Sequence, residues 1–306
     1  MTGGAGRQHR RRLAERRFWL TCLALALMAG PRDLGAQPER PPRPAHVRET
    51  APQGGMDPVL ELAREQSGET VREASERGAI IAPVRQGNSF TVWWQPEGFD
   101  PARGITFVSL HGHAGWATKD FTVWHPVIKR RGYAFLTVQW WYGRSMEPAG
   151  YARPQDIYRW ITEALEAHGV PPGRVIFEGF SMGGANSYAV TYLDRRQARP
   201  YFAVTIANAG AMEADYPPNR AMLNAGEGAG PLRGSRWILY CALKDEQRPN
   251  SCTQMDWTKA TLERLGGQVE LYVKDAEGGH GGFMRPAMHE QALDTAELAV
   301  SDAARR

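Results

Sequence analysis

From residue 80 onward the chain alternates short apolar runs with stretches of helical spacing. The apolar, β-prone runs lie at 89–95, 105–110, 134–139, 175–178, 202–207, 237–242 and 269–273. Helical spacing falls between most of them, at 121–131, 154–168, 184–195, 252–265 and 286–300. Runs such as "ITFVSL" and "AFLTVQ" are apolar almost throughout. Strands of that kind are buried on both faces, as in a mostly parallel sheet with helices on each side. The run 89–95 alternates more strictly, so its place is expected at the sheet edge. The pattern therefore predicts one α/β domain over 79–302, preceded by an N-terminal helical segment at 56–78. Within that segment Val59, Leu62, Ala63 and Val71 are spaced along one helical face among many charges, as for a helix lying on the outside. Residues 208–234, rich in Gly and Pro between two strands, read as a lid or as a plain surface loop.

The first 55 residues follow a different pattern. Arg7, Arg10, Arg11, Arg12, Arg16 and Arg17 precede the apolar run "FWLTCLALALMAG". A basic start and a short apolar core predict a signal peptide over 1–36, cut between Ala36 and Gln37. An uncleaved anchor is the alternative, although the run is shorter than the roughly 20 residues of a membrane span. The Arg16–Arg17 pair also resembles a twin-arginine export signal. Residues 37–55 are polar and Pro-rich, the composition of a disordered linker.

Export changes the charge argument. Taking the seven Arg and two acids of 1–36 from the 37 basic and 33 acidic residues leaves 30 and 31. The basic pI thus belongs to the signal, and the mature domain lacks the electrostatic footprint of a nucleic-acid binder. No stable membrane insertion is expected once the signal is removed. Cys241 and Cys252 remain after cleavage, and an even pair in an exported chain favours a disulfide, with two buried thiols as the alternative.

The chemistry concentrates at "VIFEGFSMGGANS", 175–187, where a strand runs through G-x-S-x-G into a helix. Such a turn lifts a serine hydroxyl over the sheet edge, which makes Ser181 the candidate nucleophile. The alternative is a tight helix-packing turn with Ser181 as its cap. A serine needs a base in hydrogen-bond reach, and the base needs an orienting acid. In chain order Ser, acid, His, the downstream histidines are His280, in the glycine loop "EGGHGG", and His289, inside the last helix. His280 is expected to be the base. Asp245, just past the run 237–242, is the expected acid, with Glu246 and Asp215 as alternatives.

Acyl transfer also needs two donors for the developing oxyanion. The backbone N–H groups of Met182 and of His113, in "LHGHAG", occupy those places. His111 is expected to orient that loop. A His-x-His pair can ligate zinc only when further ligands converge, and the sequence offers none at ligand spacing, so no metal is expected.

"HGHAG", "GFSMGG", "ALKDEQRP" and "GGHGG", in that order, resemble the α/β-hydrolase superfamily over about residues 80–300. Within it the chain is similar to the polyester-depolymerase, feruloyl-esterase and dienelactone-hydrolase-like branch, and to prolyl-oligopeptidase-type catalytic domains. The resemblance implies the α/β-hydrolase fold, an acyl-serine on Ser181 with Asp245 and His280 as partners, and hydrolysis without a cofactor. His113 stands where the oxyanion loop often carries another residue type. The expected substrate is a small-molecule or polymer-linked carboxylic ester. A peptidase and a non-catalytic binding protein on the same scaffold are the alternatives. Trp116 and Trp141 follow strands whose carboxyl ends should face the site, so each is a candidate substrate wall or a packing residue. Trp93 and Trp94 must point to opposite faces of their strand.

Overall fold

The computed structural model describes residues 57–224, 230–247 and 251–305. The expected signal peptide and linker, 1–36 and 37–55, lie outside them. Contacts group the described residues into a body, 57–144 with 150–305, and a short unit of 145–149. In the short unit the Glu147 N–H donates to Ser145 Oγ at 3.1 Å.

Eight strands form the sheet of the body: β1 (Ile80–Pro83), β2 (Phe90–Trp94), β3 (Thr106–Leu110), β4 (Ala134–Val138), β5 (Val175–Phe180), β6 (Phe202–Asn208), β7 (Arg236–Ala242) and β8 (Gln268–Asp275). Their order is β1-β2-β4-β3-β5-β6-β7-β8. The pairs β1–β2 and β2–β4 are antiparallel. All others are parallel. Every residue of β3, β4 and β6 is buried, whereas β8 at one edge is half-exposed. This gradient explains why the central strands read as unbroken apolar runs.

The strand at 89–95 is not the edge. β2 is paired on both sides, because the four-residue strand β1 covers it. The sequence reading missed β1 for a physical reason. "IIAP" is short and ends in Pro83, which cannot donate to a ladder, and such a strand is tolerated only at an edge. β2 itself carries Trp93 and Trp94 on opposite faces. Trp93 stacks on His168 at 3.9 Å between centroids, and Trp94 Nε1–H donates to the Arg77 carbonyl at 3.0 Å.

The helices are α1 (Pro58–Glu76), α2 (Ala117–Arg131), α3 (Pro154–Ala167), α4 (Met182–Arg195), α5 (Pro217–Leu223), α6 (Cys252–Arg264) and α7 (Pro286–Ala303). α2 and α7 cover one face of the sheet, joined where Arg131 bonds Asp294 and Glu297, each at 2.8 Å. α3, α4 and α6 cover the other. Asp57 caps α1 by accepting from the N–H groups of Val59 and Leu60, and the helix packs its buried Val59, Leu60, Ala63, Val71 and Ala74 inward beside α2. Pro126 lies inside α2 and has no N–H for the Thr122 carbonyl four residues back. That carbonyl accepts from the Arg77 guanidinium instead, at 3.3 Å, which ties α1 to α2. α5 is a two-turn helix within the region read as lid or loop, whose residues 225–229 lie outside the described set.

Candidate active site

Ser181 sits between β5 and α4 with φ 54° and ψ −118°, a conformation that L-residues avoid. The surrounding backbone enforces it. The Ser181 N–H donates to the Asn208 carbonyl at 2.8 Å, and its own carbonyl accepts from Ala185 N–H at 3.0 Å. Both glycines of the motif are needed because backbones meet here. A Cβ on Gly179 would lie 2.4 Å from the Gly183 carbonyl oxygen, and one on Gly183 would lie 2.3 Å from that of Leu110. The strain of the turn, about 1–3 kcal/mol, is therefore held by close packing of β3, β5 and α4.

Three residues far apart in sequence meet at this turn. His280 Nε2 is 2.8 Å from Ser181 Oγ, and His280 Nδ1 is 2.6 Å from Asp245 Oδ2. The Asp245 side chain is fully buried, and its Oδ1 accepts from Gln247 N–H at 2.9 Å. Glu246 is exposed beside it, and Asp215 is exposed on the loop after β6. His289 is buried in α7 beside Trp124. The structure thus brings Ser181, Asp245 and His280 together and leaves the alternatives aside. Cys241, at the end of β7, and Cys252, at the start of α6, form a disulfide that closes the loop carrying Asp245. A loop of that size gains about 2–4 kcal/mol from the bridge.

The loop after β3 lies against the nucleophile. A Cβ on Gly112 would be 3.3 Å from Ser181 Cβ. Among the described residues, neither Met182 N–H nor His113 N–H has an acceptor. His111 is buried, and burial lowers its pKa to about 4, so the ring is neutral. Its Nδ1 donates to the Gly112 carbonyl at 2.9 Å, and its Nε2 accepts from Trp140 N–H at 3.4 Å. With both nitrogens used, this imidazole orients the loop. The exposed His113 ring meets Tyr151 Oη at 2.8 Å through Nδ1. The two histidines therefore serve separate contacts. Among the described residues no three His, Cys, Asp or Glu side chains converge as a metal site.

A cleft of about 510 Å³ opens over Ser181 and His280. Trp116, Val123, Trp124, Phe180 and Met284 give it apolar walls, while Asp120 and Asn208 add polar groups. Trp141 does not line it. That ring packs against Trp116, with centroids 5.1 Å apart, because residue 141 turns back to bridge Tyr151. The structure thus places Trp141 beside Trp116 and outside the lining of the cleft. Gln139 fixes the same corner from within. Its Oε1 accepts from Ala117 N–H at 2.7 Å, and its Nε2 donates to the carbonyls of Gly115 and Trp141.

The sequence reading missed two groups. Asp275 ends β8 and braces the His280 loop. It accepts from Tyr240 Oη at 2.7 Å, from Arg285, and from the N–H groups of Glu277 and Gly278. Burial alone would raise its pKa, but the hydrogen bonds from Arg285, Tyr240 and the two backbone groups outweigh this and hold it at about 2. An Asp followed two and three residues on by a turn containing Gly is the signal that could have found it. The second missed group is a pair of buried carboxyls, Asp120 and Glu178. Burial raises both, and the charge of Asp120 raises Glu178 further. No local motif marks them, since α2 and β5 bring them together.

No protein-family model and no curated relative matches the chain. Solved structures do. A fungal esterase of Rhizomucor miehei is similar at 14% identity, covering 94% of this chain and 97% of its own, with TM-score 0.55. An esterase of Pyrobaculum calidifontis is similar at 16% identity, covering 80% and 93%, with TM-score 0.53. A bacterial heroin esterase is similar at 14% identity, covering 81% and 93%, with TM-score 0.54. The chain has the α/β-hydrolase fold. At these identities the likeness establishes the fold, and chemistry has to be argued from the site.

Proposed function

We propose that this protein is an exported serine hydrolase that cleaves carboxylic esters through an acyl-serine intermediate. The observation that carries the reading is the continuous chain from Asp245 through His280 to Ser181 Oγ, with contacts of 2.6 and 2.8 Å. In the first step Ser181 Oγ attacks the ester carbonyl carbon, and its proton passes to His280 Nε2. Asp245 accepts from Nδ1–H and stabilises the imidazolium that forms. The N–H groups of Met182 and His113 hold the oxyanion of the tetrahedral intermediate. As it collapses, the carbon–oxygen bond to the alcohol breaks and His280 returns the proton to the leaving oxygen. Water then attacks the acyl-serine by the same route and releases the acid. Trp116 forms a wall for the substrate. Support for export comes from the basic, apolar N-terminus and from the Cys241–Cys252 disulfide. Among the described residues no helix is long and apolar enough to cross a membrane.

The test is fluorophosphonate labelling of the native chain beside Ser181→Ala, with turnover of p-nitrophenyl esters and a peptide anilide. The native chain should label and hydrolyse esters well above the anilide. Ser181→Ala should lose both, with kcat lower by a factor on the order of 10⁴ or more. A folded native chain that neither labels nor turns over would overturn the reading in favour of a non-catalytic scaffold. Preference for the anilide would make it a peptidase.

A further inference from the structure

Below the apolar walls of the cleft lies a polar layer that ester cleavage does not use. Asp120 comes from the first turn of α2, Glu178 from β5, and Asn208 from the end of β6. All three are buried, and Asp120 and Asn208 line the cleft. The partners of each are identifiable. Ser109 Oγ donates to Glu178 Oε2 at 2.8 Å, and Thr137 Oγ1 donates to Asp120 Oδ2 at 3.3 Å. Asn208 Nδ2 donates to Glu178 Oε1 at 2.9 Å. In this arrangement the Asn208 amide turns its N–H₂ end toward Glu178. The other end, Oδ1, has no hydrogen-bond partner among the described residues, although Asn208 is only 3% exposed. A buried acceptor without a donor is costly, and leaving it so is tolerated where a ligand supplies the donor.

We propose that Asp120 and Asn208 form a subsite at the base of the cleft that takes a hydrogen-bond donor, a hydroxyl or an ammonium, at the tip of an apolar arm of the substrate. The inference rests on the ester-cleaving reading for why a substrate enters, and it adds which substrates enter well. The arm packs between Trp116, Val123, Trp124 and Met284. Its donor is met by the Asp120 carboxyl, with the Asn208 side chain beside it in the cleft lining. Glu178 acts behind them as a positioning residue, because it holds the Asn208 amide. Burial raises both carboxyls, and the charge of Asp120 raises Glu178 further, so Asp120, the one that lines the cleft, ionises first. Lys119, exposed on the same wall, makes the opposing case, since it would draw a carboxylate tip.

The experiment is calorimetric titration of the full chain carrying Ser181→Ala, which separates binding from turnover. The ligands are 3-phenylpropanamides bearing methyl, hydroxyl, aminomethyl or carboxyl at the para position. A hydroxyl or aminomethyl tip should bind about tenfold tighter than methyl, the gain of a hydrogen bond to a charged group. The carboxyl tip should bind most weakly. Adding Asp120→Asn should remove the aminomethyl gain and reduce the hydroxyl gain to that of a neutral hydrogen bond. Equal, undetectable or carboxyl-favouring binding would overturn the subsite, and the ligand series alone decides this if the Asp120 variant does not fold. Turnover of the matching methyl esters by the native chain is measured alongside. Donor preference in binding without any turnover would sink the esterase reading and leave the subsite standing.

Discussion

Two loops flank Ser181, and they are held in different ways. On one side, residues 111–116 are fixed by neutral groups: the uncharged His111 ring, the Trp140 N–H groups and the fully buried Gln139 amide. On the other, residues 275–284 are fixed by a charged pair, Asp275 with Arg285. The difference follows from solvent. The first loop is packed under α2 and β4, where an ion would lose its hydration. The second lies at the end of the edge strand β8, where the Arg285 side chain is 45% exposed and keeps its water. A charged brace is strong there because only Asp275 is buried, and its oxygens are met by several donors.

The largest effect is expected from removing the charged brace. Asp275→Ala frees the turn that presents His280, and kcat/KM for an ester should fall about a hundredfold, the cost of a misplacement near 1 Å. Asp275→Asn can still accept from the Glu277 and Gly278 N–H groups, so it should retain several-fold more activity than the alanine variant. Equal activity of both variants and the native chain would show that the brace does not position His280.

A smaller loss is expected on the neutral side. His111→Phe keeps the ring's bulk beside Trp140 but removes both hydrogen bonds, and kcat/KM should fall about tenfold through a looser oxyanion loop. The same variant tests the loop's pH response. His111 is lowered from 6.5 to about 4 in the folded chain, by burial. Its contribution is therefore present above pH 6.5 and is lost as pH falls from 6.5 to 4. Asp275, lowered from 3.8 to about 2, loses its contribution only below pH 3.8. In thermal melts His111→Phe should therefore lose less stability, or gain more, than the native chain as pH falls from 6.5 to 4, whereas Asp275→Asn should follow the native chain over that window. Parallel melting curves for all three would refute the assignment.

The smallest effect sharpens the comparison from below the site. Glu178 is raised from 4.5 to about 8, first by burial and then by the charge of Asp120. A carboxyl raised on folding stabilises at low pH and loses that contribution as pH rises to its folded pKa. Above pH 6.5, where the His111 contribution is complete and no longer changes with pH, the native melting temperature should decline toward pH 8. Glu178→Gln should flatten that decline, and an unchanged slope would mean that Glu178 is not the titrating group.

The fold was legible because its central strands carry their burial in their composition. A strand such as β6, buried along its whole length, can hardly be written except as an apolar run. The turn at Ser181 was legible because Gly179 and Gly183 are demanded by backbone contacts within a few residues and by one neighbouring strand. The strand β1 was not, since four residues ending in proline carry no periodicity worth reading. Nor could the chain decide between Trp116 and Trp141, because both follow strands whose ends face the cleft, and only the bridge from Trp141 to Tyr151 places one ring behind the other.

Chain order and local pattern alone therefore determined the layered α/β architecture, the position of Ser181 on its turn, and the short set of acids and histidines able to serve it. These are properties of single segments and of their sequence. The tertiary structure decided that Asp245, rather than Glu246 or Asp215, meets His280. It also decided that Asp275 braces the histidine loop, and that Asp120, Glu178 and Asn208 form one polar layer. Each of these depends on side chains from different elements meeting across the sheet, and burial in that meeting sets their charge. A local sequence pattern encodes the conformation of its own segment, whereas such meetings arise only when the segments pack.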